Sequence, residues 1–148
     1  MEQILILGGG AAGIAAAISA AESAPTGTKV VLIEQNPRIG KKLLATGNGR
    51  CNLDNNRIRL EDYFTSDRES LAQMLEAIGP HGVTNWFGDY GLFVTVDEVG
   101  RIYPYSNQAA DVLNLLMYRM EKLGVKVRTD CPVAAVEPHR VTLEGGEV

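Results

Sequence analysis

The sequence predicts an α/β fold built on a parallel sheet, and three observations carry that expectation. Two short apolar runs, Ile4-Leu5-Ile6-Leu7 and Lys29-Val30-Val31-Leu32-Ile33-Glu34, have the unbroken hydrophobicity of strands buried on both faces. An alanine-rich helical stretch, Ala11 to Ser23, separates them, so the three form a βαβ unit with a right-handed crossover. Glycines at positions 8, 10 and 13 stand at the junction of the first strand and the helix, where a tight turn is needed. The chain has 148 residues, enough for one core and too few to call for two complete domains.

Each element has its own local reason. Pro25 and Gly27 end the first helix. From Asn36 to Tyr63 the sequence is rich in Gly, Asn and charge and reads as a loop. Ser66-Asp67-Arg68-Glu69 then has the form of a capping box, with Ser66 as the cap. Leu71, Met74, Leu75 and Ile78 follow at helical spacing until Gly79-Pro80. A short helix with Val83, Trp86 and Phe87 on one face is expected next, and Leu92 to Val96 with Arg101 to Tyr103 reads as a strand pair. Ser106 is the expected cap of a helix whose stripe is Ala109, Val112, Leu113, Leu116, Met120 and Leu123, closed by Gly124. Val125 to Arg128 is a third parallel strand. Val133 to Val136, Arg140 to Leu143 and the Glu144-Gly145-Gly146 turn form the start of a small antiparallel meander.

Composition removes several classes of function. Hydrophobic residues are 45% and charged residues 22% of the chain, which fits a folded globular protein and not a disordered one. A formal net charge of -4 gives no general attraction for nucleic acid or an anionic membrane. The uncharged run from Ile4 to Ala21 resembles a targeting segment in length, but Glu2 precedes it and Gly8-Gly9-Gly10 interrupts it. The two cysteines, Cys51 and Cys131, form no CxxC pair, so neither zinc nor a disulfide framework is indicated and a cytoplasmic location is expected. His81 and His139 have no spaced metal partner, and Trp86, Phe87 and Phe93 read as core.

Gly8-x-Gly10-x-x-Gly13 between strand and helix, followed at the tip of the second strand by Glu34, is the arrangement that holds a dinucleotide. The first glycine allows the turn, the second lets backbone approach a pyrophosphate, and the third lets helix pack on strand. Free N–H groups at Ala11 and Ala12, with the positive end of the helix, favour the phosphates. An acid at position 34, beside Gln35, accepts hydrogen bonds from the adenosine ribose. Without a ligand the same glycines would serve only a tight turn.

This fingerprint does not distinguish FAD from NAD. The stretch Gly40-Lys41-Lys42-Leu43-Leu44-Ala45-Thr46-Gly47-Asn48-Gly49-Arg50-Cys51-Asn52 bears on the choice, because a simple NAD-binding half follows its second strand quickly with another helix. A long polar segment here is able to fold over a cofactor, with N–H groups around Gly47 and Gly49 forming an anion nest and Arg50 or the lysines nearby. Lys41 and Lys42 read as a solvated pair. Cys51 lacks the second thiol that a redox pair requires and reads as a buried packing residue rather than a reactive thiol.

The same segment, with Gly100-Arg101-Ile102-Tyr103-Pro104, resembles the BaiN-like, or aminoacetone-oxidase-type, family of bacterial NAD(P)/FAD-dependent oxidoreductases. Asp54 departs from the threonine frequent in that family. The resemblance implies a Rossmann-like FAD-binding domain of glutathione-reductase type, with Gly8, Gly10, Ala11, Ala12 and Gly13 at the pyrophosphate and Glu34 and Gln35 at the ribose. It places Lys41, Lys42, Thr46, Gly47, Asn48, Gly49, Arg50, Cys51 and Asn52 along the pyrophosphate and ribityl side, and Val133 near the adenine. It implies NAD(P)H as the candidate electron donor of the whole protein, and leaves the substrate and the catalytic residues unknown. Residues 1–148 are then expected to be the N-terminal part of the FAD-binding domain, without its last parallel strand or a substrate domain. The first strand would show an unpaired edge that favours self-association. The competing expectation is a non-catalytic nucleotide-binding fragment.

Overall fold

The computed structural model of the chain describes residues 2–79 and 81–146; the expected stop at Pro80 and the last two residues of the chain lie outside them. The chain divides into two compact units, Met1–Leu44 with Leu113–Val148, and Ala45–Val112.

The first unit is the βαβ framework. Strand β1 (Gln3–Leu7) runs parallel to β2 (Lys29–Ile33), and β2 runs parallel to β6 (Lys126–Arg128), giving the order β1-β2-β6. Val30, Val31, Leu32 and Ile33 of the central strand are all buried, as a strand covered on both faces requires. Val31 and Ile33 pack with Val141 and Leu143, which belong to the hairpin β7 (Val133–Glu137) and β8 (Arg140–Leu143). Alternation sends Val30 and Leu32 to the other face. There helix α1 (Ala11–Ser23) packs on the sheet through fully buried Ile14, Ala17 and Ile18. Helix α5 (Ala109–Lys122) carries the expected stripe, with Val112, Leu113, Leu116 and Met120 buried. Among the described residues β1 has no partner on its outer side, and Leu7 is 41% exposed.

The second unit holds a small antiparallel sheet in the order β3-β5-β4, made from Asp54–Asn55, Arg101–Pro104 and Val94–Val96. Helices α3 (Arg68–Ile78) and α4 (Gly82–Asp89) lie between β3 and β4 in the chain. Three expectations are corrected here. The segment expected to be a plain loop contains helix α2 (Lys41–Ala45), two turns of 3-10 helix at Thr46–Gly49 and Leu60–Asp62, and strand β3. Helix α3 is capped by Asp67 and not by Ser66: the Asp67 carboxylate accepts the N–H of Ser70 at 3.0 Å and its hydroxyl at 2.7 Å. Phe93 is 82% exposed, whereas Phe87 is buried as expected. Phe93 stands where the β4 edge leaves it nothing to pack on, its carbonyl bonded to the N–H of Tyr105 and its ring outward.

A smaller correction concerns α5. The Ser106 hydroxyl does accept a backbone N–H, that of Gln108 at 3.3 Å, but the helix begins at Ala109, so Ser106 shapes the approach turn.

A candidate nucleotide site at the first strand-helix turn

The Gly8–Gly13 turn is shaped by what each glycine meets. The Gly8 N–H donates to the Ile33 carbonyl at 2.7 Å, which fastens the turn to the tip of β2. At Gly13 an added Cβ would collide with the Gly8 carbonyl oxygen, so α1 approaches β1 only because no side chain is there. Gly10, the N-cap of α1, has φ −78 and ψ −179, an extended conformation open to any residue. A Cβ on it would meet nothing within 4 Å. Neither left-handed strain nor packing therefore demands glycine at position 10, although glycine suits an N-cap better than alanine does. No side chain caps the helix, no acid occupies its first turn, and Ala11 and Ala12 are exposed. This leaves an uncapped, positively polarised helix end facing space that a Cβ would fill.

Glu34 is the only buried charged residue among those described, at 8% exposure. Its Oε2 accepts the Gly9 N–H at 2.6 Å. Its Oε1 accepts the backbone N–H of Asn36 at 2.8 Å and the Asn36 side-chain amide at 2.5 Å. The Asn36 backbone bond is the main reason its pKa lies below the usual glutamate value; burial opposes this, and the Gly9 and remaining Asn36 bonds assist. The acid is thus ionised, fixed in place and tied to the glycine turn. Gly9 must also be small, since a Cβ would lie 2.5 Å from Ile39 and 3.1 Å from Glu34 Oε2. The Gly9 carbonyl in turn accepts the N–H of Gly40 at 2.7 Å. Gly8, Gly10, Gly13 and Glu34 therefore come together as expected, joined by Gly9, Asn36 and Gly40, which the sequence reading did not single out. A short polar residue two places after an acid at a strand end is a turn signal, and it was the available clue to Asn36.

The other expected residues have distinct settings. Gln35, Lys41 and Lys42 are exposed. Val133 is half-buried against the Val31, Ile33, Val141 and Leu143 cluster. A separate groove of about 760 Å³ in the first unit is lined by Ile39, Leu113, Met117, Val127 and others, but by none of Gly8–Gly13 or Glu34.

In the second unit, Thr46 to Asn52 makes a tight hook. Gly47 and Asn48 are both left-handed (φ 55 for each), and Cys51 is too (φ 60). The N–H groups of Arg50 and Cys51 donate to the carbonyls of Gly47 and Thr46 at 3.2 and 3.0 Å, so those two donors of the expected nest are taken up within the hook. Thr46, Asn48, Gly49 and Asn52 are exposed, and Arg50 is half-buried. Cys51 is 4% exposed, and burial pushes its thiol pKa up against the effect of a hydrogen bond from Thr46. That setting is of a packing residue and not of an activated thiol.

Among the described residues no group of three metal-ligating side chains is found, and no helix is long and apolar enough to cross a membrane.

A parallel βαβ unit with an uncapped glycine turn and an acid at the tip of the second strand defines a Rossmann domain. The chain belongs to the family described as HI0933-like protein Rossmann domain, which matches residues 2–145. It is 44% identical over 137 residues to a 3-dehydro-bile acid delta(4,6)-reductase of Clostridium scindens, covering 93% of this chain and 33% of that protein. It is 26% identical over 138 residues to a ribosomal RNA dihydrouridine synthase of Haemophilus influenzae, covering 90% of this chain and 32% of that one. The chain thus spans about a third of the length of these curated relatives. Its fold is shared with a 3-ketosteroid-delta4-(5alpha)-dehydrogenase from Rhodococcus jostii RHA1, at a TM-score of 0.57 and 18% identity over 95% of this chain and 41% of that one. Thermovibrio ammonificans THI4 is similar at a TM-score of 0.51 and 15% identity, over 96% of this chain and 45% of that chain.

Proposed function

We propose that this chain is the ADP-binding part of an FAD-dependent oxidoreductase that reduces a small molecule. The observation that carries the proposal is Gly10: neither backbone conformation nor packing requires a glycine there, whereas a pyrophosphate lying against the N-terminus of α1 does. Gly8, Ala11, Ala12 and Gly13 would hold that pyrophosphate by backbone, Glu34 and Gln35 would receive the adenosine ribose, and Val133 would border the adenine. Lys41, Lys42 and the hook from Thr46 to Asn52 would follow the pyrophosphate and ribityl chain. Bound FAD would supply the redox chemistry by accepting and passing on a hydride or electrons. The contribution of these residues is to position it and to keep Glu34 ionised toward the ribose hydroxyls.

Of the two curated relatives, the one at 44% identity is a reductase of a small molecule, a 3-dehydro-bile acid, and the one at 26% identity is a dihydrouridine synthase of ribosomal RNA. The higher identity to the first supports a small molecule as the substrate class, with NAD(P)H proposed as the electron donor. A small molecule is preferred to RNA because the chain has a net charge of -4 and supplies no general attraction for phosphates. The free thiols of Cys51 and Cys131 suit a reducing cytoplasm. Among the described residues the outer edge of β1 has no partner, which supports pairing with a further strand.

The test is to titrate FAD and NAD against the same purified sample, following flavin fluorescence and absorbance. FAD is expected to bind and NAD to bind far more weakly. A parent protein that purifies colourless and takes up no FAD would overturn the proposal.

A further inference from the structure

The hook from Thr46 to Asn52 contains a cation, Arg50, that is bonded to Gly47 and Tyr103. The Arg50 guanidinium lies over the Tyr103 ring, 4.1 Å from its centroid. Its Nη2 donates to the Tyr103 hydroxyl at 3.2 Å and its Nε to the Gly47 carbonyl at 3.4 Å. Tyr103 is 3% exposed and sits on β5, the central strand of the small sheet. A Cβ on Gly47 would stand 3.1 Å from the Tyr103 ring and 2.8 Å from the Asn52 N, so Gly47 is also pressed against this tyrosine. The sequence reading had placed Arg50 beside the phosphates. In the structure two of its nitrogens bond to Gly47 and Tyr103 and its central carbon lies over the ring of the same tyrosine, a set of contacts that a guanidinium makes and a lysine ammonium does not.

We infer that Arg50 and Tyr103 form a clasp that holds the Thr46–Asn52 hook on the small sheet, and that Arg50 acts on cofactor binding as a positioning residue through this hook and not as a phosphate ligand. The inference rests on the FAD reading for its effect on affinity, but not for the clasp itself. Three residues of positive φ in succession, Gly47, Asn48 and Gly49, are a conformation that a free loop abandons readily. The clasp closes over them from the carbonyl of Gly47 to the edge of β5. Without it the exposed side chain of Asn48 and the N–H groups around Gly49 lose their fixed direction, whatever they face.

The experiment uses the full chain and four variants: Arg50→Met, Arg50→Lys, Tyr103→Phe and Tyr103→Leu, with the Arg50→Met/Tyr103→Leu pair. Amide exchange over residues 46–52 without FAD reads the clasp, and FAD titrations at low and high salt read its consequence. Arg50→Met and Tyr103→Leu should each remove protection at the Arg50 and Cys51 amides and weaken FAD by about tenfold, with the pair little worse than either alone. The slope of affinity against salt should be the same for Arg50→Met as for the parent, because no phosphate contact is lost. Tyr103→Phe, which keeps the ring, should restore most of the affinity that Tyr103→Leu loses, and Arg50→Lys should not replace arginine. Unchanged amide protection in Arg50→Met, or a flatter salt dependence, would overturn the clasp and return Arg50 to the phosphates. If Tyr103→Leu does not fold, Arg50→Met and Tyr103→Phe still decide between the two roles. If the parent chain takes up no FAD, the FAD reading fails while amide exchange alone confirms or removes the clasp.

Discussion

Two glycine-bearing turns of this protein, Gly8–Gly13 and Thr46–Asn52, are built in opposite ways. In the first unit, the Gly8–Gly13 turn ends in a helix N-terminus with no cap and with open space at Gly10. In the second, the Thr46–Asn52 hook closes on itself: Gly47 is crowded by Asn52 and Tyr103, and the Arg50 and Cys51 amides bond back to the hook's own carbonyls. A glycine that the fold requires carries no message about ligands. Gly10, Gly88 and Gly145 are all unhindered and free of left-handed strain, but of these Gly10 alone stands at the N-terminus of α1, where the proposed pyrophosphate would lie.

The sharpest break of the comparison is expected from valine at Gly13, where the added side chain meets the Gly8 carbonyl. The helix must then lift from β1, and a loss on the order of 3 kcal/mol or more is expected, as for severe overpacking. Urea unfolding measures it, and a variant of parental stability would show that α1 is free to shift. Gly10→Ala is the control that separates ligand from fold. Its stability should fall by no more than about 1 kcal/mol, the difference between glycine and alanine at an N-cap, while FAD affinity falls on the order of a hundredfold, about 2.7 kcal/mol. Parental FAD binding by this variant would remove the argument for the proposed cofactor.

Gly47→Ala tests the other side of the comparison. Its left-handed backbone (φ 55) and the close Asn52 N predict a cost of about 1–2 kcal/mol with or without nucleotide. A loss seen only in FAD titrations, with thermal unfolding unchanged, would make Gly47 a second ligand-reserved glycine.

The contrast between the turns also explains what was legible in the sequence. The parallel βαβ unit and the stripe of α5 were, because buried strands and amphipathic helices write their period into runs of apolar residues such as Val30 to Ile33 and Val112 to Met120. Glu34 and the glycines were legible from spacing. Helix α2 was not, since five residues do not set a period. Strand β3 was not either: Asp54 and Asn55 are strand residues because Ile102 and Arg101 on β5 bond to them, not through any propensity of their own. Asp67 outcompeted Ser66 as a cap because its carboxylate takes both the N–H and the hydroxyl of Ser70. Phe93 misled because its type says core, while exposure is decided by what stands opposite.

Acid should weaken the first turn through Glu34. The folded pKa lies below the unfolded one, so the bonds to Asn36 and Gly9 stabilise the protein fully above the usual glutamate range. That contribution declines as pH falls through the range and is lost below the lowered folded value. Glu34→Gln should therefore be less stable than the parent at neutral pH, with the gap closing in acid. Urea midpoints at several pH values check this, and a gap independent of pH would mean that the carboxylate charge is not what fastens Gly9.

The smallest effect concerns the hook's thiol. Cys51 is nearly inaccessible and its pKa is raised, whereas Cys131 is half-exposed with its Sγ 3.1 Å from the Thr129 carbonyl. Thiolate is the reactive form, so a buried thiol of raised pKa reacts slowly at neutral pH and faster as pH rises. Modification by a chromogenic disulfide should proceed in two phases, Cys131 first and Cys51 at least about tenfold more slowly. Arg50→Met, by loosening the hook, should bring the phases together without altering Cys131. Equal rates in the parent would show that the hook opens freely and is not the closed element that distinguishes it from the Gly8–Gly13 turn.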